Sequence, residues 1–359
     1  MKVLIDGHMI GSNEGGNERY TKNLFLSLIK NEKENISILV GEKGRGIKRK
    51  QVIVRRSASN NIFRLLYLIP SLVNPQKIDV VHSNYISPFY KNSKFVITVH
   101  DFCFKYYPQY FSLRERIIFN FLLPYSLKFS DSIIVPSEFT KKELLKFYPQ
   151  YRGKAFVIYE AAEDIFHYIP KKKAEEIIAK TFKLKSPFLL ALNGKNPKKN
   201  INRIIEAYLR VQKQFPELKL VIVGNKFNIE KKYMNNKGII ILGKIKDAKL
   251  NVLYNAAEIF IYYSVYEGFG LPVLEALKCK ALVVCSDIEV LREIAKNNVV
   301  YENPFNERDL AKKIATLLKN KDYAEKIRRK STGVNKIYSW ENTARETLKI
   351  YKLLDKKWK

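Results

Sequence analysis

The sequence predicts an α/β protein of two domains, each a parallel sheet wound with helices. Three observations carry this reading. Short runs rich in β-branched residues alternate with longer amphipathic stretches, the rhythm of βαβ units and parallel sheets. That rhythm pauses once, in a Lys-rich stretch at residues 168–186, and then restarts. The length, 359 residues of which 46% are apolar, is enough for two cores that need no disulfide or metal staple.

In chain order, the first half offers strands at residues 2–6, 36–40, 52–54, 79–82, 95–99, 132–136 and 156–159. Between them, helical periodicity covers residues 17–30, 60–72, 113–129 and 138–147, with Ser137 placed to cap the last of these. Residues 168–186 carry no strand signal and read as a linker with a short helix. The second half offers strands at 187–192, 219–223, 239–242, 259–262, 282–285 and 299–301, with helices between them and a long helix at 307–319. Residues 340–359 are helical in period, with Leu348, Tyr351, Leu353 and Leu354 available for an apolar face. The domains are therefore expected at 1–165 and 166–340. Open α/β sheets hold ligands beyond the carboxyl ends of their strands, so two Rossmann-like domains facing each other would enclose a cleft.

Composition narrows the function. Lys and Arg number 65 against 35 Asp and Glu, a net charge of +30. Nucleic acid, an anionic membrane surface and a phosphorylated substrate would each suit such a field, and so would simple preference for Lys on solvated faces. No helix-turn-helix, zinc or RNP signature accompanies the charge, so no nucleic-acid partner is expected. The three cysteines, Cys103, Cys279 and Cys285, have no metal-ligand spacing and point to a reducing compartment. The N-terminus opens on a buried strand rather than a leader, and no uncharged apolar run reaches the roughly eighteen residues of a spanning helix. A cytoplasmic protein is expected.

The segment Glu267-Gly268-Phe269-Gly270-Leu271-Pro272-Val273-Leu274-Glu275 carries the chemistry. It follows a strand and opens a helix, with Pro272 suited to the first helical position. Gly268 and Gly270 let backbone approach a ligand, and free N–H groups at a helix start favour an anion such as a diphosphate. Were both glutamates on one helix, eight residues would separate them by about 12 Å. Paired glycosidase carboxylates stand only roughly 5–9.5 Å apart. The two glutamates are better placed to accept hydrogen bonds from hydroxyls on either side of a diphosphate, one facing a sugar and one a ribose.

This segment resembles the E-x7-E signature of retaining glycosyltransferases of the GT4 family, which have the GT-B fold. Several other segments share the resemblance. Tyr263-Ser264-Val265-Tyr266 is similar to the P-S-x-x lead-in, with Tyr263 in place of Pro. The run Asn193-Gly194-Lys195-Asn196-Pro197-Lys198-Lys199-Asn200 is similar to the turn that opens the second domain. Ser286-Asp287 with Glu293 resembles the segment after the next strand. Ser339-Trp340-Glu341 resembles the start of the C-terminal helix, which in this fold, at about 341–359 here, crosses back to the first domain. In the first half, Gly15-Gly16-Asn17-Glu18-Arg19-Tyr20, Thr98-Val99-His100-Asp101 and Pro136-Ser137-Glu138-Phe139-Thr140 match more loosely. The chain departs from the pattern at Glu160-Ala161-Ala162-Glu163, where Asn-Gly-Val-Asp is usual, and at Lys278-Cys279-Lys280, where a glycine usually stops the helix.

The resemblance implies a hexosyltransferase with a nucleotide-sugar donor, GDP-mannose first and a UDP-sugar next, and a glycan or polyprenyl-linked acceptor. It implies Glu275 on the donor ribose, Glu267 on the transferring sugar, and Lys199 with Lys198 on the phosphates. Asn193 and Gly194 join the donor site. Gly15, Gly16 and the turn Phe269-Gly270-Leu271 would supply backbone donors, and His100 would lie near the anomeric centre. It also implies retention of configuration and no metal or other cofactor. The basic residues Lys43, Arg45, Lys48, Arg49, Lys50, Arg55 and Arg56, with aromatics at 62–72 and 102–129, would allow a peripheral position on the inner face of a membrane. A solvated loop beside ordinary core helices is the plainer account. The rival activities on this fold are a sugar-nucleotide epimerase, a phosphorylase and a non-catalytic sugar-nucleotide binder.

Overall fold

A computed structural model describes residues 1–11, 15–31, 35–42, 44, 47, 50–55, 61–88, 92–185, 187–330 and 338–356. Of the basic run, Lys43, Arg45, Lys48, Arg49 and Arg56 lie outside the described residues. The chain packs as two compact units, Met1–Ala161 with Tyr338–Lys359, and Ala162–Ile337.

The first unit is built on β1 (Lys2–Asp6), β2 (Asn35–Val40), β3 (Val52–Val54), β4 (Val80–Asn84), β5 (Lys94–Thr98), β6 (Ser132–Val135) and β7 (Ala155–Val157). All pair in parallel, in the order β3-β2-β1-β4-β5-β6-β7. The central strands are buried along their whole length, as expected of parallel strands covered on both faces. The helices are α1 (Gly16–Asn31), α2 (Asn61–Phe63), α3 (Ile69–Gln76), α4 (Cys103–Tyr106), α5 (Leu113–Ile117), α6 (Leu123–Phe129) and α7 (Glu138–Phe147). Ser137 caps α7, its hydroxyl accepting from the Thr140 N–H at 3.0 Å.

Two helices expected to be continuous are each interrupted by a wide π turn, Arg64–Leu68 between α2 and α3 and Ile118–Leu122 between α5 and α6. The cause is local. Pro70 and Pro124 stand in the first turn of α3 and of α6, where a proline has no N–H to continue the preceding ladder.

The second unit repeats the plan with β8 (Phe188–Asn193), β9 (Lys219–Gly224), β10 (Ile239–Gly243), β11 (Ile259–Tyr262), β12 (Val283–Ser286) and β13 (Val300–Glu302), all parallel, in the order β10-β9-β8-β11-β12-β13. Its helices are α8 (Lys171–Phe182), α9 (Ile201–Gln212), α10 (Asp247–Ala256), α11 (Leu271–Lys278), α12 (Glu289–Ala295), α13 (Glu307–Lys319) and α14 (Lys321–Lys330). The stretch expected to be a linker is part of this unit. In α8 the small and branched residues Ala174 and Ile178 are buried against α10. The preceding backbone is fastened to α10 through the amide oxygens of Asn251 and Asn255. The short helix expected there is α8, and its lysines masked the apolar face that packs it into the unit.

The last helix, α15 (Trp340–Lys356), completes the first unit. It packs against α1, and its buried Tyr351 hydroxyl meets His82 Nδ1 on β4 at 2.6 Å. Leu348 and Leu354 lie on the buried face, whereas Leu353, expected with them, is exposed because a helix repeats at three and four residues. Among the described residues no helix is long and apolar enough to cross a membrane.

Candidate active site

Each sheet reverses strand order once, between β1 and β4 and between β8 and β11, and such switch points are where open α/β sheets bind ligands. In the second unit the two loops that leave β8 and β11 meet at this point. The loop after β8 forms a short turn, Pro197–Lys199, whose first N–H groups include that of Lys198, bonded to the Asn196 side chain at 2.9 Å. The Val265 N–H donates to the Lys198 carbonyl at 2.9 Å. Asn200, held in the left-handed region at φ 58°, donates its amide to the carbonyls of Tyr263 and Pro304. The backbones are thus joined before any side chain is considered.

Across this junction stands Glu267, only 7% exposed. Its Oε1 accepts from Lys199 Nζ at 2.7 Å and from the Tyr262 hydroxyl at 2.8 Å, and its Oε2 lies 3.4 Å from Lys198 Nζ. Lys199 also donates to the Tyr262 oxygen at 2.6 Å, with its ammonium 4.5 Å from that ring's centre. Burial alone would raise the Glu267 carboxyl, but the charges of Lys198 and Lys199 outweigh it and bring its pKa down to about 2. Burial, then the charges of Glu267 and Glu275, pushes the Tyr262 phenol well above its ordinary value, so it remains a donor. The result is a fixed carboxylate beside two ammonium groups, with a phenol holding both.

Glu267 belongs to the loop, not to the helix, and Pro272 takes the second helical position, after Leu271. Gly270 caps α11 at φ 112°, where a Cβ would also stand 2.6 Å from Leu291 Cδ2. Phe269 is buried beside it, and Gly268 precedes it in the loop. Glu275 lies inside α11, 2% exposed, with its Oε2 accepting from the Tyr254 hydroxyl at 3.1 Å. Asn193 ends β8, and its amide nitrogen is spent on the carbonyls of Asn225 and Phe227, while its Oδ1 is buried without a hydrogen-bond partner. Gly194 follows, where a Cβ would stand in ordinary contact with Lys199 Cγ at 3.9 Å. Lys198, Lys199 and Glu267 are therefore in direct contact.

His100 belongs to the first unit, at the end of β5, and so do Gly15 and Gly16 at the start of α1. Gly15 has φ 89° and neither glycine has a neighbour where a Cβ would be. His100 Nε2 meets Asn84 Oδ1 at 2.8 Å and Nδ1 meets Glu160 Oε1 at 3.0 Å. The direction of this chain is fixed. The Thr21 hydroxyl donates to the Asn17 carbonyl, so it accepts from Asn84 Nδ2 and turns Asn84 Oδ1 toward the histidine. His100 Nε2 must donate, and its contact with Glu160 requires one more proton on Nδ1 or on the carboxyl. Glu160 is the residue at which the chain departs from the usual pattern. His82, nearby, is driven down to a pKa of about 3 by burial and by His100, and is a neutral structural histidine.

Sequence reasoning gave no role to Tyr262, Tyr254 or Glu160. Tyr262 reads as one more apolar strand residue, and only its position as the last residue of β11, five before Glu267, hinted at more. Tyr254 contacts Glu275 across 21 residues, a pairing with no local signal.

Fold and site define a glycosyltransferase of the GT-B class. The chain superposes on sucrose-phosphate synthase from Thermosynechococcus elongatus with a TM-score of 0.77, covering 99% of both chains at 18% identity. It superposes on HepE from Anabaena, in a complex with UDP-glucose, with a TM-score of 0.78, covering 98% of this chain and 99% of that one at 16% identity. The family model "Glycosyl transferases group 1" matches residues 172–333 and "Glycosyltransferase Family 4" matches residues 15–163. Between them they span most of the chain, which belongs to this family of GT4-type glycosyltransferases. Among its relatives, the O-antigen chain mannosyltransferase B of Escherichia coli is 28% identical over 272 residues, covering 72% of this chain and 70% of that protein. The O-antigen chain mannosyltransferase RfbU of Salmonella typhimurium is 28% identical over 240 residues, 64% of this chain and 62% of that one.

Proposed function

We propose that the protein transfers a hexose, mannose in the first instance, from a nucleoside-diphosphate sugar to a hydroxyl of a glycan or polyprenyl-linked acceptor. The observation that carries this is Glu267, buried and held by Lys199, Lys198 and Tyr262 at the β8/β11 switch point. In this reading the donor diphosphate lies on the glycine turn at the start of α11, where N–H groups face an anion. Lys199 and Lys198 offset charge on the leaving phosphate, Glu267 hydrogen-bonds the sugar, and Glu275 the ribose. His100 enters as a residue near the sugar. The anomeric carbon gains the acceptor oxygen and loses the phosphate oxygen, with retention of configuration and with lysines in the place of a metal. The mannosyltransferase names of the relatives support mannose. A UDP-linked donor is the second reading, favoured by a structural neighbour crystallised with UDP-glucose.

A peripheral position on an anionic membrane belongs to the same proposal. Leu113, Ile117 and Phe121, four residues apart on α5 and the turn after it, are 72%, 51% and 71% exposed, beside exposed Arg114. Apolar side chains inserting beside basic ones suit such a surface. Replacing Leu113 and Phe121 by Asp is expected to reduce sedimentation with anionic vesicles and leave neutral vesicles unchanged. Equal sedimentation of variant and parent would refute this surface.

The donor test is thermal unfolding against GDP, UDP and their hexose conjugates, with and without EDTA. A ligand at a hundred times its Kd adds about 2.7 kcal/mol to the folded state. The expected result is stabilisation by GDP-mannose that survives EDTA and is lost in Glu275→Ala. Stabilisation by none of the nucleotides would overturn the proposal, and product formation without an acceptor would favour epimerisation.

A further inference from the structure

The first unit carries a polar cluster that the donor chemistry does not use. β1 ends at Asp6, and the next residue, Gly7, lies so close to β2 that a Cβ would stand 2.6 Å from Ile38 Cγ1 and 3.0 Å from the Leu39 oxygen. Its N–H donates to that oxygen at 2.8 Å. The close turn brings His8 back over the strand end. The backbone N–H and ring Nδ1 of His8 both face Asp6 Oδ1, at 3.3 Å and 3.0 Å. Asp6 Oδ2 accepts from Arg64 Nε at 3.0 Å, and Arg64 is itself held by Asn61 at 2.6 Å. Asp6 and Arg64 are fully buried, whereas His8 is 18% exposed.

Burying an ion pair is rarely a net gain in stability, so the cluster asks for another account. Burial alone would raise the Asp6 carboxyl, but Arg64 and His8 hold it well below the ordinary carboxylate range. An ionised carboxylate only accepts, so His8 Nδ1 carries a proton and, in the neutral ring, Nε2 is left with a lone pair. Arg64 is committed to Asp6. The cluster therefore offers a ligand one oriented ring nitrogen, which suits a hydroxyl group. Its place is the β1/β4 reversal, the switch point of the first sheet.

We propose that His8 is an acceptor-binding residue whose Nε2 takes a hydrogen bond from a hydroxyl of the receiving sugar or alcohol, with Asp6 and Arg64 as positioning residues. The proposal rests on the transferase reading above. It adds a polyol-binding point on the first unit that depends on a single imidazole nitrogen. Asp6 is the charged group in contact with the ring and Arg64 the one behind it.

The test uses the full chain, GDP-mannose as donor and octyl α-mannoside as acceptor. In His8→Gln the acceptor KM is expected to rise about tenfold, the size of one hydrogen bond, with kcat and donor KM nearly unchanged. Asp6→Asn, which lets the ring adopt the other tautomer, is expected to act in the same direction. Equal changes in all constants would show a structural role and overturn the proposal. If the parent transfers nothing, the donor reading has failed, and nitrogen NMR of the four histidines then decides this one. The signal that disappears in His8→Gln must shift on titration with octyl α-mannoside, and a signal unmoved at saturation of the titration refutes the site.

Discussion

Replacing Glu267 by Gln keeps the shape of the side chain and removes its charge. In the folded chain Lys199, Lys198 and Tyr262 bring this carboxyl from its ordinary value of 4.5 to about 2. At about 1.4 kcal/mol per pKa unit, the ionised form is favoured by about 3 kcal/mol. The sign follows from the direction of the shift. A depressed folded-state value gives stabilisation that is full above pH 4.5 and is lost as pH falls toward 2. Glu267→Gln is therefore expected to cost up to about 3 kcal/mol at neutral pH, and by pH ~3.5 the gap to the parent should have narrowed by about 1 kcal/mol. Tryptophan fluorescence is the wrong probe, because both tryptophans, Trp340 and Trp358, fall in the C-terminal segment grouped with the first unit. Pulsed hydrogen exchange across a urea series, read on peptides from β8 and β11, reports on the second unit. A variant as stable as the parent at neutral pH, or a gap that does not change with pH, would refute the electrostatic account of this site.

Three further outcomes are expected. Lys280, two residues past the end of α11, is held at φ 55°, so Lys280→Gly should stabilise the second unit by about 1 kcal/mol in the same urea series, and no gain would refute strain there. Tyr262→Phe keeps the ring under Lys199 but deletes the hydroxyl that joins Lys199 to Glu267; kcat/KM for the donor should fall about tenfold, and an unchanged value would remove Tyr262 from the site. Glu160→Gln can donate to His100 Nδ1 while Asn84 fixes Nε2 as a donor, so nitrogen NMR should show a ring with one N–H; a ring with two would contradict the hydrogen-bond direction assigned here.

Much of the fold was legible because parallel strands buried on both faces leave unbroken apolar runs. β1, β3 and β11 fall at the residues expected, and α7 and α13 do so as well. What escaped was whatever depends on a partner far along the chain or on a single backbone hydrogen bond. The wide turns at Arg64–Leu68 and Ile118–Leu122 leave helical periodicity almost intact, and only the prolines after them betray the break. α8 was expected only as a short helix in a linker, since two buried residues in a run of charges give too weak a pattern to show that it packs into the second unit. α14, not expected at all, has the same character, with Ala324 and Ile327 its buried residues. The missing glycine after α11 was visible in Lys278-Cys279-Lys280, but not that Lys280 would adopt the glycine's conformation regardless. At the site, the two glutamates were singled out by their spacing about a glycine turn, and the lysines by the family resemblance alone. Tyr262 was not, because its hydroxyl matters only once β8 and β11 lie side by side. The pair Asp6 and Arg64 lies 58 residues apart, with no local trace of the contact.

The return of α15 to the first unit has a consequence for biosynthesis. The sheet of that unit is complete once residue 157 has been made, yet Nδ1 of His82 on β4 has its partner only when Tyr351 arrives. The chain between, Ala162–Ile337, is the whole of the second unit. On the ribosome the first unit must therefore wait, with the α15-binding face of α1 uncovered, while the second is synthesised and folds. At roughly 5–20 residues per second that wait lasts on the order of ten seconds or more. An apolar surface left open for so long is one that a nascent-chain chaperone would shield, and shortening the C-terminus by a few turns would make that exposure permanent.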